Sequence, residues 1–303
     1  MSRSIGLAHI VRHADGTSTG VWGTHTLKSA FQPIFEFEDG KLAVVAFEGL
    51  MRPFRGDQPW TPAAFLNSVP AAARLHVETL TRTLHLLNAA VCLSPDATIF
   101  VNFDPSLFTE HAVAEAALRD MRLVLHEAGI DPRRVVCEVT EQKSGSQEAL
   151  YDFVATLKRN GFRIAVDDYG AEDSDMSRIQ ELHPEIVKFD AKWITRLMES
   201  GPGYALLTTM VSTFAEQGIR TVFEGIEEGW QLELAEKSGA SMVQGYALAR
   251  PELAPTSFSV FGPEGQGSKA EDARPAAAQP QPHPQAAGRH QRPARKFGRR
   301  QAT

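Results

Sequence analysis

Eight short apolar runs, most of them followed by a stretch with helical spacing, divide the chain between Phe31 and Leu248. The first two, FQPIFEF and LAVVAFEGLM, flank Glu38-Asp39-Gly40-Lys41. Asp-Gly between alternating apolar runs marks a two-residue hairpin, so these strands are expected to pair antiparallel. The helical stretches TPAAFLNSV and ARLHVETLTRTLHLLNAAV come next. From there strand and helix alternate: ATIFVNF with EAALRDMRLVLHEAG, RVVCEVTE with QEALYDFVATLKRNG, and RIAVDDYG with SDMSRIQEL. EIVKFD with YALLTTMVSTFAEQG and RTVFEGIE with WQLELAEKSG follow, and SMVQGYAL closes the series. This rhythm predicts an α/β fold, a TIM-like (β/α)8 barrel with an antiparallel first strand, a fold that takes about 250 residues. A doubly wound open sheet would favour a glycine-rich phosphate turn after an early strand, and the sequence has none.

The barrel is expected to occupy residues 27–261 of the 303. Residues 1–26 are a lead-in, with VWGTHTLKSAF read as a short helix before the first strand. Residues 262–303 are rich in Pro, Gln, Ala and Gly and nearly free of large apolar side chains, which predicts a disordered tail. Its end, RHQRPARKFGRRQAT, is basic without any acid, so the body is more acidic than the net charge of −6 suggests. That tail is a weak candidate for contact with an acidic partner. An acidic body repels a phosphate-bearing ligand unless cations reverse the field. Two cysteines, Cys92 and Cys137, lie in apolar surroundings and read as core residues in a reducing, cytoplasmic setting. No signal peptide and no membrane-spanning run is read, so integral membrane association is not expected.

Polar residues recur at the ends of the predicted strands: Glu48, Asn102, Glu138, Asp167, Asp168, Lys188, Asp190, Glu224, Glu227 and Gln244. In a barrel these ends converge on one face. Any one of them reads most simply as a helix cap or a solvated loop charge; their recurrence at equivalent points raises the set above that. Carboxylates with one amide and no histidine or cysteine suit a hard cation, Mg²⁺ or Mn²⁺ rather than zinc. So many argue for two ions, about 3.5–4 Å apart, sharing Asp167, with Asp168 on the second. Divalent charge would relieve the repulsion between the adjacent aspartates. Lys188, between Val187 and Phe189, either finds anions inside the barrel or snorkels outward. His76, His85, His126 and His183 fall on helices or helix ends and read as structural or surface residues.

These segments resemble the EAL-domain cyclic di-GMP phosphodiesterases from about Phe31 to Pro251. FQPIFEF, FEGLMR, FVNFDP, CEVTEQ, AVDDYG, VKFD, FEGIE and QGYALARP each stand in order where that family has its motifs. The resemblance implies one metal on Glu48, Asn102, Glu138 and Asp167, and a second on Asp167, Asp168 and Glu224. It implies that Lys188 orients or deprotonates the attacking water, with Glu224 a competing base. Gln32, Leu50, Arg52, Asp190 and Gln244 would lie near the nucleotide, Arg52 gripping phosphate as a planar guanidinium. Glu141 and Glu227 would support the loop after Asp168. The implied reaction is hydrolysis of cyclic di-GMP to linear pGpG by a homodimer.

Two departures stand out. The signature reads Glu-Gly-Leu instead of Glu-Ala-Leu; Gly49 removes only a methyl group, so little beyond local flexibility is expected. In GAEDSDM, Glu172 and Asp173 add two charges that could hold the loop, recruit an ion or repel phosphate. The rival to an enzyme is a catalytically inactive cyclic di-GMP receptor acting through protein contacts. A scaffold whose basic tail meets nucleic acid or an anionic membrane is a third reading. Retention of every carboxylate, the asparagine and the lysine favours the enzyme.

Overall fold

The computed structural model describes residues 6–108, 111–140, 147–171 and 176–258. Glu141, Glu172, Asp173 and the predicted tail lie outside the described residues. The strands are β1 (Ile10–Arg12), β2 (Ser18–Trp22), β3 (His25–Glu38), β4 (Lys41–Arg55), β5 (Gln58–Pro59) and β6 (Thr98–Phe103). They continue as β7 (Val135–Thr140), β8 (Arg163–Tyr169), β9 (Ile186–Phe189), β10 (Arg220–Phe223), β11 (Met242–Val243) and β12 (Glu252–Leu253). The helices are α1 (Pro62–Ser68), α2 (Arg74–Cys92), α3 (His111–Ala128), α4 (Gln147–Arg159), α5 (Met176–Leu182), α6 (Ala191–Met198), α7 (Gly201–Glu216) and α8 (Gly229–Ser238).

Eight of these strands close into a barrel in the order β3, β11, β10, β9, β8, β7, β6, β4, with β4 pairing back onto β3. Strand β3 is antiparallel to both of its barrel neighbours; all other barrel pairings are parallel. The Asp39-Gly40 hairpin forms as expected, with positive φ at both residues (49° and 73°), the geometry that matches strand twist. Helix α6 has no counterpart in the sequence reading.

The expected helix in VWGTHTLKSAF is corrected to two strands. Gly20, Val21 and Trp22 of β2 pair antiparallel with Leu27, Thr26 and His25 of β3. The chain reverses at Gly23, whose φ of 57° requires the freedom of glycine. Strand β1 then pairs with β2, so the sheet extends beyond the barrel.

The barrel interior is filled by one apolar layer with a residue from every strand: Ile34, Ala46, Phe100, Val136, Ala165, Ile186, Val222 and Met242. The outward faces of the strands pack against the helices in a larger apolar shell. Cys92 and Cys137 are buried and unbridged. No helix among the described residues is long and apolar enough to cross a membrane.

Candidate metal centre

Side chains alternate across a strand, so the residue two positions from each member of the apolar layer faces inward again, one step nearer the mouth. Counting two forward on the seven parallel strands, and two back on antiparallel β3, gives Gln32, Glu48, Asn102, Glu138, Asp167, Lys188, Glu224 and Gln244. An all-apolar ring is thus followed by an all-polar one. Strand register carries the pattern, since Gln32 pairs with Glu48 and Asn102 with Glu138.

Lys188 occupies the middle of this ring and is 1% exposed. Its Nζ lies 2.6 Å from Glu138 Oε1, 2.7 Å from Glu224 Oε1, 3.1 Å from Asp167 Oδ1 and 3.6 Å from Glu48 Oε2. The lysine therefore points inward to anions and does not snorkel. Burial pulls the ammonium's pKa down, but Asp167, Glu138, Glu224 and Glu48 more than reverse this, leaving it well above the ordinary value. Burial also pushes the Glu138 carboxyl well above its usual range, with Lys188 opposing the shift. For Glu224, burial together with the charges of Asp167 and Glu48 outweighs Lys188 and brings the pKa to about 8.

Asp168 follows Asp167 and would by alternation face the opposite way. The β8–β9 register breaks between Val166 and Tyr169, and Asp168 adopts φ 58°. Such bulges re-aim side chains, and aspartate is one of the few residues that tolerate left-handed backbone. The backbone N–H of Asp168 donates to Asp167 Oδ1 at 3.0 Å. As a result, oxygens of Asp167, Asp168 and Glu224 all lie within 4.8 Å of one another. Burial, and next the charge of Asp167, raises the Asp168 pKa.

These donors fit a hard divalent cation. They are carboxylates in excess over one ammonium, and they include no soft ligand. Oε2 of Glu138 and Oε1 of Gln244 are buried with no hydrogen-bond partner among the described residues, an arrangement an ion would complete. Gln244 Nε2 donates to Glu48 Oε2 at 2.9 Å and fixes that carboxylate.

The remaining expected site residues are placed less uniformly. Asn102, Leu50 and Arg52 line a cavity of about 510 Å³ beside the ring, bounded by β4, α1 and α2. The Arg52 guanidinium donates to its neighbour's carbonyl, Met51 O, at 3.0 Å. Gln32 is buried and reaches Ala249 O at 3.4 Å. Asp190 caps α6 by accepting from the Trp193 N–H at 2.8 Å. Glu227 is exposed and its N–H donates to Gln231 Oε1 at 2.8 Å; most of the loop it is expected to support lies outside the described residues.

The sequence reading also missed part of the cavity wall. Glu78 and Arg82, one helical turn apart on α2, form a buried ion pair there. The Arg82 guanidinium lies 4.0 Å from the centre of the Phe103 ring. Their i,i+4 spacing was the available signal. Gly49 is more tightly placed than expected, because a Cβ there would come within 3.0–3.1 Å of the His85 side chain, which would have to give by a few tenths of an ångström.

The family model described as EAL domain matches residues 23–251. The uncharacterized EAL-domain containing protein YkuI of Bacillus subtilis is 30% identical over 226 residues, 73% of this chain and 54% of the relative. The cyclic di-GMP phosphodiesterase RocR of Pseudomonas aeruginosa is 30% identical over 152 residues, 50% of this chain and 38% of its own. The crystal structure of Bacillus subtilis YkuI, in complex with substrate c-di-GMP and calcium, aligns with TM-score 0.65 and 27% identity. It covers 75% of this chain and 56% of that one. Klebsiella pneumoniae BlrP1, solved with manganese and cy-diGMP, shares the fold at TM-score 0.66 and 23% identity, over 75% of this chain and 56% of its own. The chain spans about half or less of the length of these curated relatives. A match that takes in all eight barrel strands and every member of the polar ring makes this chain a member of the EAL domain family.

Proposed function

We propose that this chain hydrolyses cyclic di-GMP to linear pGpG with two divalent ions, Mg²⁺ or Mn²⁺, held by the polar ring. The observation that carries the reading is the convergence of Glu48, Glu138, Asp167 and Glu224 on Lys188, with Asp168 folded back onto the same side. Relatives named as cyclic di-GMP phosphodiesterases, and related structures holding that nucleotide with calcium or manganese, support the substrate.

In this reading Glu48, Asn102, Glu138 and Asp167 hold one ion, and Asp167, Asp168 and Glu224 hold the other. When bound, the ions would polarise the phosphodiester and lower the pKa of the attacking water. Lys188 orients that water. In the metal-free chain the surrounding carboxylates hold the Lys188 ammonium protonated, a form with no lone pair. Glu224 competes with Lys188 as the group that accepts the water's proton once the ions are bound. Gln244 keeps Glu48 turned into the ring through its amide N–H. Arg52 and Leu50, on the cavity wall, receive the nucleotide. The resemblance that suggests the substrate also suggests a homodimer.

The test is turnover. Purified protein with Mg²⁺ or Mn²⁺ should convert cyclic di-GMP to pGpG, resolved by chromatography, and Glu48→Ala should abolish it. Calcium should support binding without turnover, because it accepts looser and higher coordination. Binding with no metal-dependent product in any of these ions would replace the enzyme by the receptor reading.

A further inference from the structure

The replacement of alanine by glycine after Glu48 has a counterpart on α2. His85 is 2% exposed and lines the 510 Å³ cavity alongside Gly49, Leu50, Arg52 and Asn102. An alanine methyl at position 49 would come within 3.0–3.1 Å of His85 Cβ, Cγ and Cδ2, so the imidazole packs closer to Gly49 than an alanine would allow without a shift of a few tenths of an ångström.

A chain of hydrogen bonds fixes which imidazole nitrogen carries the proton. Asn88 is oriented by backbone on β2: its Oδ1 accepts from the Ser18 N–H at 2.7 Å and its Nδ2 donates to Ser18 O at 3.0 Å. The same Nδ2 donates to Ser29 Oγ at 3.1 Å. Ser29 is itself 1% exposed, so its hydroxyl proton needs an acceptor, and His85 Nδ1 lies 2.8 Å away. Ser29 thus donates to Nδ1, and the ring proton sits on Nε2. Burial, with the nearby Arg52 charge adding to it, lowers the His85 pKa to about 3, so the ring is neutral. Nε2 has no hydrogen-bond partner among the described residues.

We infer that His85 is a substrate-contacting donor, its Nε2–H presented to an acceptor atom of the cyclic dinucleotide by the Asn88–Ser29 relay, in the cavity it lines beside Gly49. This assignment rests on the proposed function. The acceptor is either a phosphate oxygen or a purine N7, the two acceptor types a donor beside Arg52 would meet. A buried neutral histidine is a suitable donor here. It adds a directed hydrogen bond without adding a positive charge next to Arg52.

Two measurements test the assignment. The first is the ¹⁵N spectrum of the His85 ring in the metal-free protein. A neutral ring protonated at Nε2 is expected, and an imidazolium or an Nδ1-protonated ring would overturn the relay. Ser29→Ala should abolish the tautomer preference. The second is the Kd of cyclic di-GMP in calcium, by calorimetry. His85→Phe keeps a ring of similar size without the donor and should weaken binding about tenfold, the size of one net hydrogen bond. Manganese affinity of the metal-free variant should stay at the wild-type value; a parallel loss would mean that His85 merely props the fold and would overturn the assignment. Repeating the comparison with the 7-deazaguanine analogue identifies the acceptor. A vanished difference assigns N7, and a retained one assigns a phosphate oxygen. If the wild type binds no cyclic dinucleotide, the proposed function falls and takes this assignment with it. If it binds and His85→Phe binds equally well, this assignment alone falls.

Discussion

Replacing Lys188 by methionine removes the one cation at the centre of the polar ring and keeps most of its length. Glu48, Glu138, Asp167 and Glu224 would then face one another with no counter-charge. Deleting one partner of a buried ion pair costs about 3–5 kcal/mol. A single ammonium serves four carboxylates here, which puts the expected loss at the upper end, about 5 kcal/mol. For a chain of this size each kcal/mol moves Tm by about 2–4 °C, so the metal-free variant should melt about 10–20 °C below the wild type. The loss should be similar near pH 5.5 and pH 8 and should grow above about pH 8, because Lys188 lowers the Glu224 pKa and the variant goes on losing stability where the wild type has already given up that proton. Manganese should restore much of the difference, because divalent charge replaces the ammonium. A ligand at about 100 times its Kd contributes about 2.7 kcal/mol. The assay is thermal unfolding followed by circular dichroism, in chelator and in Mn²⁺, at both pH values. A variant that melts within about 2 °C of the wild type in chelator at pH 8 would refute this electrostatic account of the ring.

The raised Glu224 pKa has a sign that can be checked. The folded chain holds this proton more tightly than the unfolded chain, so its stabilising contribution is complete below the ordinary value of 4.5 and is lost as pH rises through about 8. Chelated protein should therefore show a falling Tm across that window, while the gain from added Mn²⁺ should grow, since metal and proton compete for the same oxygens; the reverse slopes would contradict it. Asp168→Gly should keep or slightly raise metal-free stability, by about 1 kcal/mol or less, because glycine accepts φ 58° without strain. The same change should weaken Mn²⁺ at least tenfold, and calorimetry showing unaltered metal affinity would remove Asp168 from the ligand set. Phe100→Ala, in the apolar layer beneath the ring, should cost about 3–5 kcal/mol in denaturant unfolding; a loss under about 1 kcal/mol would mean that the layer does not hold the ring in place.

The barrel was legible because its parallel strands are short continuous apolar runs, buried on both faces and separated by stretches with helical spacing. The alternation of side chains between the two faces of a strand explains why the site was legible. A polar residue two positions beyond the last buried interior residue, on every strand, is a pattern the residues themselves carry. The N-terminal strands were not legible. In STGVW the buried positions of β2 are held by Ser18 and Gly20, which give no hydrophobic alternation. The Asp168 turn was hidden because the register break at Val166 and Tyr169 leaves no mark in composition. His85 read as an ordinary helical histidine because the residues that give it a role, Gly49, Ser29 and Asn88, lie on other turns or strands.

The most direct measurement is anomalous diffraction from crystals of the protein soaked in Mn²⁺. The account predicts two manganese peaks in the barrel mouth, both in contact with the Asp167 carboxylate, one reaching Glu48 and Glu138 and the other Asp168 and Glu224. A map with no manganese among these five side chains would contradict it.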